Sequence, residues 1–289
     1  MLRHCDSFKL WVLCTDKEAI KILNQLNLEK IQLLDLEKVE TTELLKVKEE
    51  RTVAEYCWTL TPFAPKFVFE ADSTINRITY IDADIWFRKS PKPIFDELEE
   101  SGKSVLITEH SYAPECDFTE TSGRFCVQFL TFCSAGGEKV RKDWEEKCLE
   151  WCYARSEDGK FGDQKYLDHW PDNFSDRVHI LQEKEYALAP WNVNRYPYGK
   201  SIFYHFQALR IRKNNTLCIG PAIPIPKQAF MNIHKPYLKD LKEVQILLDS
   251  IDEKFQIQDN SNLLNKKIRY WIKKILSIFE FKPYKIVKY

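Results

Sequence analysis

Short apolar runs alternate with helical patterns through the first 110 residues, and this alternation constrains the fold of the chain more than any other feature. Residues 8–14 (FKLWVLC) are apolar and aromatic, which predicts a buried strand. Residues 16–26 place apolar side chains at helical spacing after Thr15, the expected N-cap, and residues 31–34 form a second apolar run. A strand, a helix and a strand in that order indicate a parallel β-α-β unit and hence an α/β protein.

The same patterns predict the later elements. Pro62 and Pro65 should interrupt the helical pattern of residues 51–71. Further strands are expected at residues 77–81, 104–108, 125–132 and 201–211, and helices at residues 93–100 and 138–153. A proline-rich passage begins at Pro221, and the chain beyond it is mainly helical. We therefore predict an α/β domain with a mixed sheet flanked by helices over residues 1–220, a helical extension over 221–263, and a separate tail over 264–289.

Charge, glycine and cysteine usage bear on the class of protein. The 43 Lys and Arg balance 43 Asp and Glu, whereas a nucleic-acid partner would require clustered basic residues. The 8 glycines form neither a dinucleotide-binding nor a P-loop pattern. The 9 cysteines contain no C-x-x-C pair, and Cys148 and Cys152 have no nearby His, so we expect packed, reduced thiols. These features, with no apolar run long enough for a signal peptide or a membrane span, favour a cytoplasmic protein.

An acidic pair directly follows one of the predicted strands. Residues 77–87 read RITYIDADIWF, so Asp82 and Asp84 stand one residue apart at the carboxyl end of a strand. Ligands of open α/β sheets collect at that edge. Two carboxylates at this spacing can reach a hard divalent cation, which can in turn hold a diphosphate. The alternative for such a short string is a solvated acidic turn.

This segment and four others resemble, in the same order, the nucleotide-diphospho-sugar transferases of the GT-A fold, especially the family 8 (glycogenin and galactosyltransferase-like) enzymes. The other four are EYCWTLTPF at residues 55–63, GKFGDQKYLDHWP at 159–171, LAPWNVNRY at 188–196 and IFYHFQALRI at 202–211. The resemblance covers residues 3–211 and implies a GT-A-like fold. It also implies a metal-dependent, retaining glycosyltransferase that takes a nucleotide-sugar donor, with a UDP-sugar favoured, and a glycan or lipid-linked acceptor.

The resemblance assigns a metal site residue by residue. It implies that Asp82 and Asp84 bind Mn²⁺ or Mg²⁺ at the donor diphosphate, and that His205 is a third ligand. The alternative for His205 is a hydrogen-bonded core histidine. Arg77, just before the strand, could help to neutralise phosphate, or it could be an ordinary solvated arginine.

The resemblance also assigns sugar-binding positions. Asp163 and Gln164 match a pair that contacts the transferred or acceptor sugar, and helix capping is the alternative for Asp163. Trp191 and Asn192 match a pair that lines the same cleft, and the alternative is a core Trp with a turn Asn.

The chain departs from the pattern of these enzymes in two places. Cys126 and Gln128 stand where a sugar-contacting Asn and a Gly are expected, so they are candidate substrate-binding residues with altered sugar specificity. The chain also begins at what matches the end of the first helix, so the first strand and its nucleotide-binding loop are expected to be missing. These departures favour a second hypothesis, a transferase-like binding or assembly domain with impaired catalysis. Haloacid-dehalogenase-like phosphatases also use Asp-x-Asp, but Trp86 stands where they carry Thr or Val.

The tail over residues 264–289 has a composition of its own. It carries eight Lys or Arg against one acid, Glu280. Its apolar residues Ile268, Trp271, Ile272, Ile275 and Ile278 follow helical spacing, with lysines on the other faces. This pattern is typical of a helix lying on an anionic membrane surface, which predicts a peripheral protein at the cytoplasmic membrane face that acts on a lipid-linked or cell-envelope glycan. The alternative is a helix packed on the domain with a solvated basic face.

Overall fold

The computed structural model describes residues 1–212, 216–219, 224–251 and 285–288, and it has an α/β architecture. The strands are β1 (Leu10–Cys14), β2 (Ile31–Asp35), β3 (Arg77–Ile81), β4 (Ile85–Phe87), β5 (Val105–Glu109), β6 (Phe125–Cys133), β7 (Val178–Ile180), β8 (Ala187–Leu188), β9 (Phe203–His205), β10 (Arg210–Arg212), β11 (Thr216–Ile219) and β12 (Lys285–Lys288). The helices are α1 (Lys17–Leu26), α2 (Leu36–Val39), α3 (Thr42–Lys48), α4 (Val53–Leu60), α5 (Phe63–Ala71), α6 (Lys92–Ser101), α7 (Thr119–Ser122), α8 (Ser134–Glu150), α9 (Trp170–Asn173), α10 (Lys227–Ala229) and α11 (Lys235–Ile251). Short 3-10 turns lie at Pro114–Cys116, Gln164–His169 and Lys184–Tyr186, and a π-helical turn lies at Phe230–His234.

Four strands form the largest sheet, in the order β3-β6-β5-β7. Strand β6 is antiparallel to both β3 and β5, whereas β7 is parallel to β5, so the sheet is mixed. Strands β1 and β2 form the parallel pair that the β-α-β pattern predicted. A smaller sheet has the order β4-β9-β8, and β10, β11 and β12 form an antiparallel sheet. The prediction of an α/β protein with a mixed sheet flanked by helices is confirmed.

Local capping explains where several helices begin. The Asp16 side chain accepts a hydrogen bond from the Ala19 backbone N–H at 2.7 Å, so Asp16 caps α1 and the prediction of Thr15 was wrong by one residue. Helix α4 begins with a reciprocal capping box between Thr52 and Glu55. The predicted interruption of residues 51–71 is confirmed, because α4 ends and α5 begins on either side of Pro62.

Two predicted elements differ from the structure. Helix α8 ends at Glu150, and Trp151 is extended (φ −152°, ψ 124°), so Trp151 and Cys152 lie beyond the helix that was predicted to carry them. Residues 201–211 form the two short strands β9 and β10 rather than one strand. Between them, Leu209 donates a backbone hydrogen bond to the Phe206 carbonyl, and Ala208 takes a positive φ of 62°, which ends the extended run.

The main core lies between the large sheet and helices α8 and α9. Phe132 of β6 packs against Trp144 of α8 and Trp170 of α9, and the two tryptophan rings meet edge to face at 5.5 Å. Cys148 and Cys152 are fully buried in the same cluster, as expected for packed thiols. These three aromatic side chains bury a large apolar area, which holds the helices against the face of β6.

Of the predicted helical extension, residues 224–251 are described, and they contain α10, the π-helical turn and α11. Strand β12 pairs with β11 and was not predicted. The predicted amphipathic helix of the tail lies outside the described residues, and the three-part domain division stays a prediction. In the part of the chain that the structure covers, no helix is both long and apolar enough to span a membrane.

Candidate metal centre at the carboxyl end of β3

Backbone pairing brings the acidic pair and His205 together from distant parts of the chain. Ile85 of β4 pairs with His205 of β9, and the Phe206 backbone N–H donates to the Asp84 carbonyl oxygen at 2.9 Å. The Asp82 backbone N–H donates to the Gln128 carbonyl oxygen at 3.1 Å, which continues the ladder between β3 and β6. The short segment from Asp82 to Asp84 therefore joins the large sheet to the small one.

The three side chains converge on one point. His205 Nε2 lies 3.0 Å from Asp84 Oδ1 and 3.5 Å from Asp82 Oδ2. One ligand atom from each residue lies within 4.8 Å of the other two, and within the described ranges no other group of this kind is found. The Asp84 side chain is 40% exposed, so the cluster is open to solvent on that side. Two carboxylate oxygens and one imidazole nitrogen fit a divalent cation such as Mn²⁺ or Mg²⁺.

Burial raises and His205 lowers the pKa of each of the two carboxyl groups. Burial raises the pKa of Asp82 above its usual value, and the charge of Asp84 adds to the effect, although His205 and the Tyr80 hydroxyl lower it in part. Burial also tends to raise the pKa of Asp84, but the hydrogen bond and charge of His205 outweigh it, so this pKa is lowered. A bound cation would favour the ionised form of both groups, which is the form that ligates metal.

A buried layer supports the imidazole from behind. His205 Nδ1 lies 2.9 Å from Gln128 Oε1, and both residues are buried. The Trp191 ring meets the imidazole edge to face at 5.5 Å. His205 therefore combines both interpretations: Nδ1 contacts a buried side chain, as in a core histidine, and Nε2 faces the two carboxylates, as a metal ligand would.

Asp163 is buried near this cluster. Burial raises the pKa of its carboxyl group to about 7, and the charge of Asp82 contributes. Its Oδ2 atom has no hydrogen-bond partner in the described part of the chain, and its side chain makes no capping bond to the 3-10 turn that follows. Trp144 Nε1 donates to the Asp163 carbonyl oxygen at 2.8 Å and anchors the backbone there. The adjacent Gln164 donates instead to the Ser122 carbonyl oxygen at 2.7 Å.

Three other predicted positions make contacts of a structural kind. Arg77 lies at the opposite end of β3, where it pairs with Glu99 at 2.5 Å and covers the Phe95 ring, so the structure does not bring it to the acidic pair. The buried Asn192 side chain accepts from the Ala189 N–H and donates to two backbone carbonyl oxygens, which uses its hydrogen-bonding groups inside the protein. Trp191 Nε1 donates to the His110 carbonyl oxygen, although the ring also reaches His205.

Cys126 is buried on β6, two residues before Gln128. Burial raises the pKa of its thiol well above the usual value, and the charge of Asp82 adds to this effect. The thiol is therefore neutral and behaves as a small apolar group.

Sequence reasoning missed two residues beside the site. The Tyr80 hydroxyl donates to Asp82 Oδ1 at 2.9 Å. The two-residue period of a strand could have placed Tyr80 on the same face as Asp82. His110 is buried, its ring stacks on Tyr112 at 4.7 Å, and burial lowers its pKa to about 3. No local sequence signal points to His110, because its burial and its contact with the Trp191 ring depend on distant segments of the chain.

The fold and the site together define an α/β protein with a candidate divalent-metal centre made of two aspartates and a histidine. The chain is 30% identical over 259 residues to the uncharacterised protein YfnD of Bacillus subtilis strain 168, and this match covers 83% of the chain and 81% of YfnD. The chain therefore belongs to the same family as YfnD. The uncharacterised protein YfnF of the same organism is 27% identical over 266 residues, which cover 85% of the chain and 86% of YfnF. No protein-family model matches the chain.

Three solved structures are also similar to this one. Mouse xyloside xylosyltransferase 1 has 15% identity and a TM-score of 0.47, and the match covers 78% of this chain and 90% of that one. The galactosyltransferase LgtC, solved with donor and acceptor sugar analogues, has 14% identity and a TM-score of 0.48, with 81% and 84% covered. A glycosyltransferase that acts in glycosylation of the major capsid of PBCV-1 has 11% identity and a TM-score of 0.41, with 70% and 93% covered.

Proposed function

We propose that this protein is a metal-dependent glycosyltransferase with a GT-A-like fold. The observation that carries the proposal is the convergence of His205 on Asp82 and Asp84 at the carboxyl end of β3, where the acidic pair resembles the Asp-x-Asp motif of these enzymes. The donor is a nucleoside-diphosphate sugar, with UDP-sugars favoured, and the acceptor is a glycan or a lipid-linked glycan. By the same resemblance, the anomeric configuration is retained.

The chain's own residues set up the site for an anionic donor. Asp82, Asp84 and His205 would hold Mn²⁺ or Mg²⁺, which as a Lewis acid stabilises the negative charge that grows on a departing diphosphate. The partial exposure of Asp84 leaves the open side of the cluster for phosphate oxygens. The buried Asp163 carboxyl, with its unpartnered oxygen, is the candidate for orienting a sugar hydroxyl group.

Calorimetric titration of UDP, with and without Mn²⁺, tests the proposal. We expect wild-type protein to bind UDP only with the metal, and Asp84→Ala to lose this binding. Asp176→Ala is the matched control, because Asp176 is a largely exposed aspartate whose partner is its neighbour Arg177. Metal-independent binding that survives Asp84→Ala would contradict the proposal. If neither UDP nor the other nucleoside diphosphates bind the wild-type protein, a transferase-like binding or assembly domain is favoured instead.

The composition of the tail supports a second element of the proposal, association with an anionic membrane surface on the cytoplasmic side. Sedimentation of the full chain with vesicles that contain an anionic lipid tests it. We expect binding that weakens with salt and that is lost when Lys266, Lys267, Lys273 and Lys274 are changed to Glu. Equal partitioning of the two proteins would contradict it.

A further inference from the structure

We propose that Gln128 is a positioning residue that keeps the His205 proton on Nδ1, so that Nε2 can ligate the metal. This inference rests on the proposed metal-dependent function and adds to it a role for a residue of β6. The contact between the two side chains, their burial and the geometry of the opposite nitrogen support it.

The contact is short and shielded from water. Gln128 Oε1 lies 2.9 Å from His205 Nδ1. Gln128 is 0% exposed and His205 is 5% exposed, so water does not compete effectively for this hydrogen bond. An amide oxygen only accepts hydrogen bonds, so this bond forms when Nδ1 carries the proton and donates it.

The tautomer matters because of what lies on the other side of the ring. His205 Nε2 is 3.0 Å from Asp84 Oδ1. Without a partner on Nδ1, a neutral imidazole would gain most by carrying its proton on Nε2 and donating it to this carboxylate. That proton would occupy the position that a cation needs. A fixed donor bond from Nδ1 makes Nε2 the nitrogen that offers a lone pair when a cation is present.

The backbone places Gln128 where it can do this. The Gln128 carbonyl oxygen accepts the backbone N–H of Asp82 at 3.1 Å, so Gln128 is tied to the acidic segment at its own main chain. Its side chain reaches His205, which lies on β9 of the other sheet. One residue thus connects the strand beside the carboxylates to the strand that carries the imidazole.

The Gln128 amide also has a nitrogen, Nε2, that can donate hydrogen bonds. Gln128 Nε2 is buried and has no hydrogen-bond partner among the residues that the structure describes. A buried donor without a partner costs free energy, and the oxygen of a bound ligand could remove that cost. A substrate contact through Nε2, as the sequence predicted, is therefore compatible with the positioning role of Oε1.

Affinity for Mn²⁺, measured by calorimetry on the full chain, tests the role in metal binding. Gln128→Met keeps the length of the side chain but removes the acceptor, and we expect a loss of roughly 10- to 100-fold in affinity. Gln128→Glu keeps an acceptor at the same place, and we expect it to bind Mn²⁺ at least as tightly as wild type. Gln182→Met is the matched control, because the Gln182 amide donates to a nearby backbone oxygen on the surface. Unchanged affinity in Gln128→Met, or an equal loss in Gln128→Glu, would overturn the inference.

The tautomer itself can be read by nitrogen NMR of the histidine side chains, with the His205 signals identified by their loss in His205→Ala. In metal-free wild-type protein with a neutral imidazole, we expect the proton on Nδ1. In Gln128→Met we expect it to move to Nε2, toward Asp84. A wild-type proton on Nε2 would refute the positioning role. If wild-type protein binds Mn²⁺ through Asp84 and this test still fails, only the role of Gln128 is wrong, whereas absent Mn²⁺ binding refutes the proposed metal site.

Discussion

Asp84 and His205 are held side by side by their backbones, since the Phe206 N–H donates to the Asp84 carbonyl oxygen at 2.9 Å. Helix α11 supports this ladder from the other face. The Tyr237 ring stacks on Phe206 at 3.7 Å, and Trp86 Nε1 donates to Asp240 Oδ2 at 3.0 Å. The approach of the imidazole to the carboxylate therefore depends on strand pairing and on helix α11, as well as on the side chains themselves.

The imidazole should contribute directly to metal affinity. We expect His205→Ala to weaken Mn²⁺ binding by at least roughly tenfold, because even the loss of residues behind a ligand commonly costs 10- to 100-fold. The control is His169→Ala, since His169 is exposed. Calorimetry on both variants checks this, and equal affinities would show that His205 is not a ligand.

Asp163 should make stability fall as the pH rises. Its carboxyl pKa is about 7 in the folded protein against an ordinary 3.8, so the folded state holds this proton more tightly than the unfolded state. The stabilisation of the folded state by this proton is fully present below about pH 4 and is lost as the pH rises to about 7. Above that pH, Asp163 causes no further change in stability. Asp163→Asn stays neutral, so its stability relative to wild type should increase by on the order of a few kcal/mol between about pH 4.5 and pH 8. Urea unfolding of both proteins at the two pH values measures this difference, and a constant difference would contradict it.

His234 should have the opposite pH dependence. Burial lowers its pKa to about 4, and neither ring nitrogen has a partner among the described residues. The folded state therefore binds this proton less tightly than the unfolded state, and stability is lost as the pH falls from about 6.5 toward 4. His234→Phe removes the titration and the unpartnered nitrogens, and its ring can keep the stacking on Phe230.

We expect this variant to be more stable than wild type by about 1 kcal/mol near pH 8, and by more than that near pH 5. Thermal or urea unfolding at both pH values provides the measurement. A variant that is less stable at both values would mean that the extra volume of Phe does not fit the site.

Asn192 should act on stability rather than on ligand affinity. Its buried amide makes three hydrogen bonds to backbone groups at 2.8 to 3.0 Å. Asn192→Ala would leave buried backbone groups unpaired, and we expect a loss of about 2–4 kcal/mol in the free energy of unfolding. Asn194→Ala, two residues away and exposed, should cost less than about 1 kcal/mol. If Asn192→Ala unfolds like wild type but loses UDP binding, the substrate role predicted from the sequence is correct.

The local patterns of the sequence predicted most elements, because each depends on residues close in the chain. Strand β3 was predicted with its observed bounds, and the prolines of residues 51–71 marked the division between α4 and α5. The predicted bounds were wrong where the local pattern of apolar residues did not determine the end of an element. The end of α8 and the turn at Ala208 are set by contacts and backbone geometry that apolar spacing does not encode.

The candidate site shows the same division between local and distant information. The sequence alone determined that Asp82 and Asp84 follow an apolar strand, and an Asp-x-Asp string can be recognised without knowing what surrounds it. Only the tertiary structure decided that His205 Nε2 meets both carboxylates and that Gln128 holds the other nitrogen, whereas Arg77 pairs with Glu99 at the far end of the strand. Hydrogen bonds between strands that are 40 to 120 residues apart in the chain fix these distances, and burial, which is a property of the whole fold, sets the ionisation of each group.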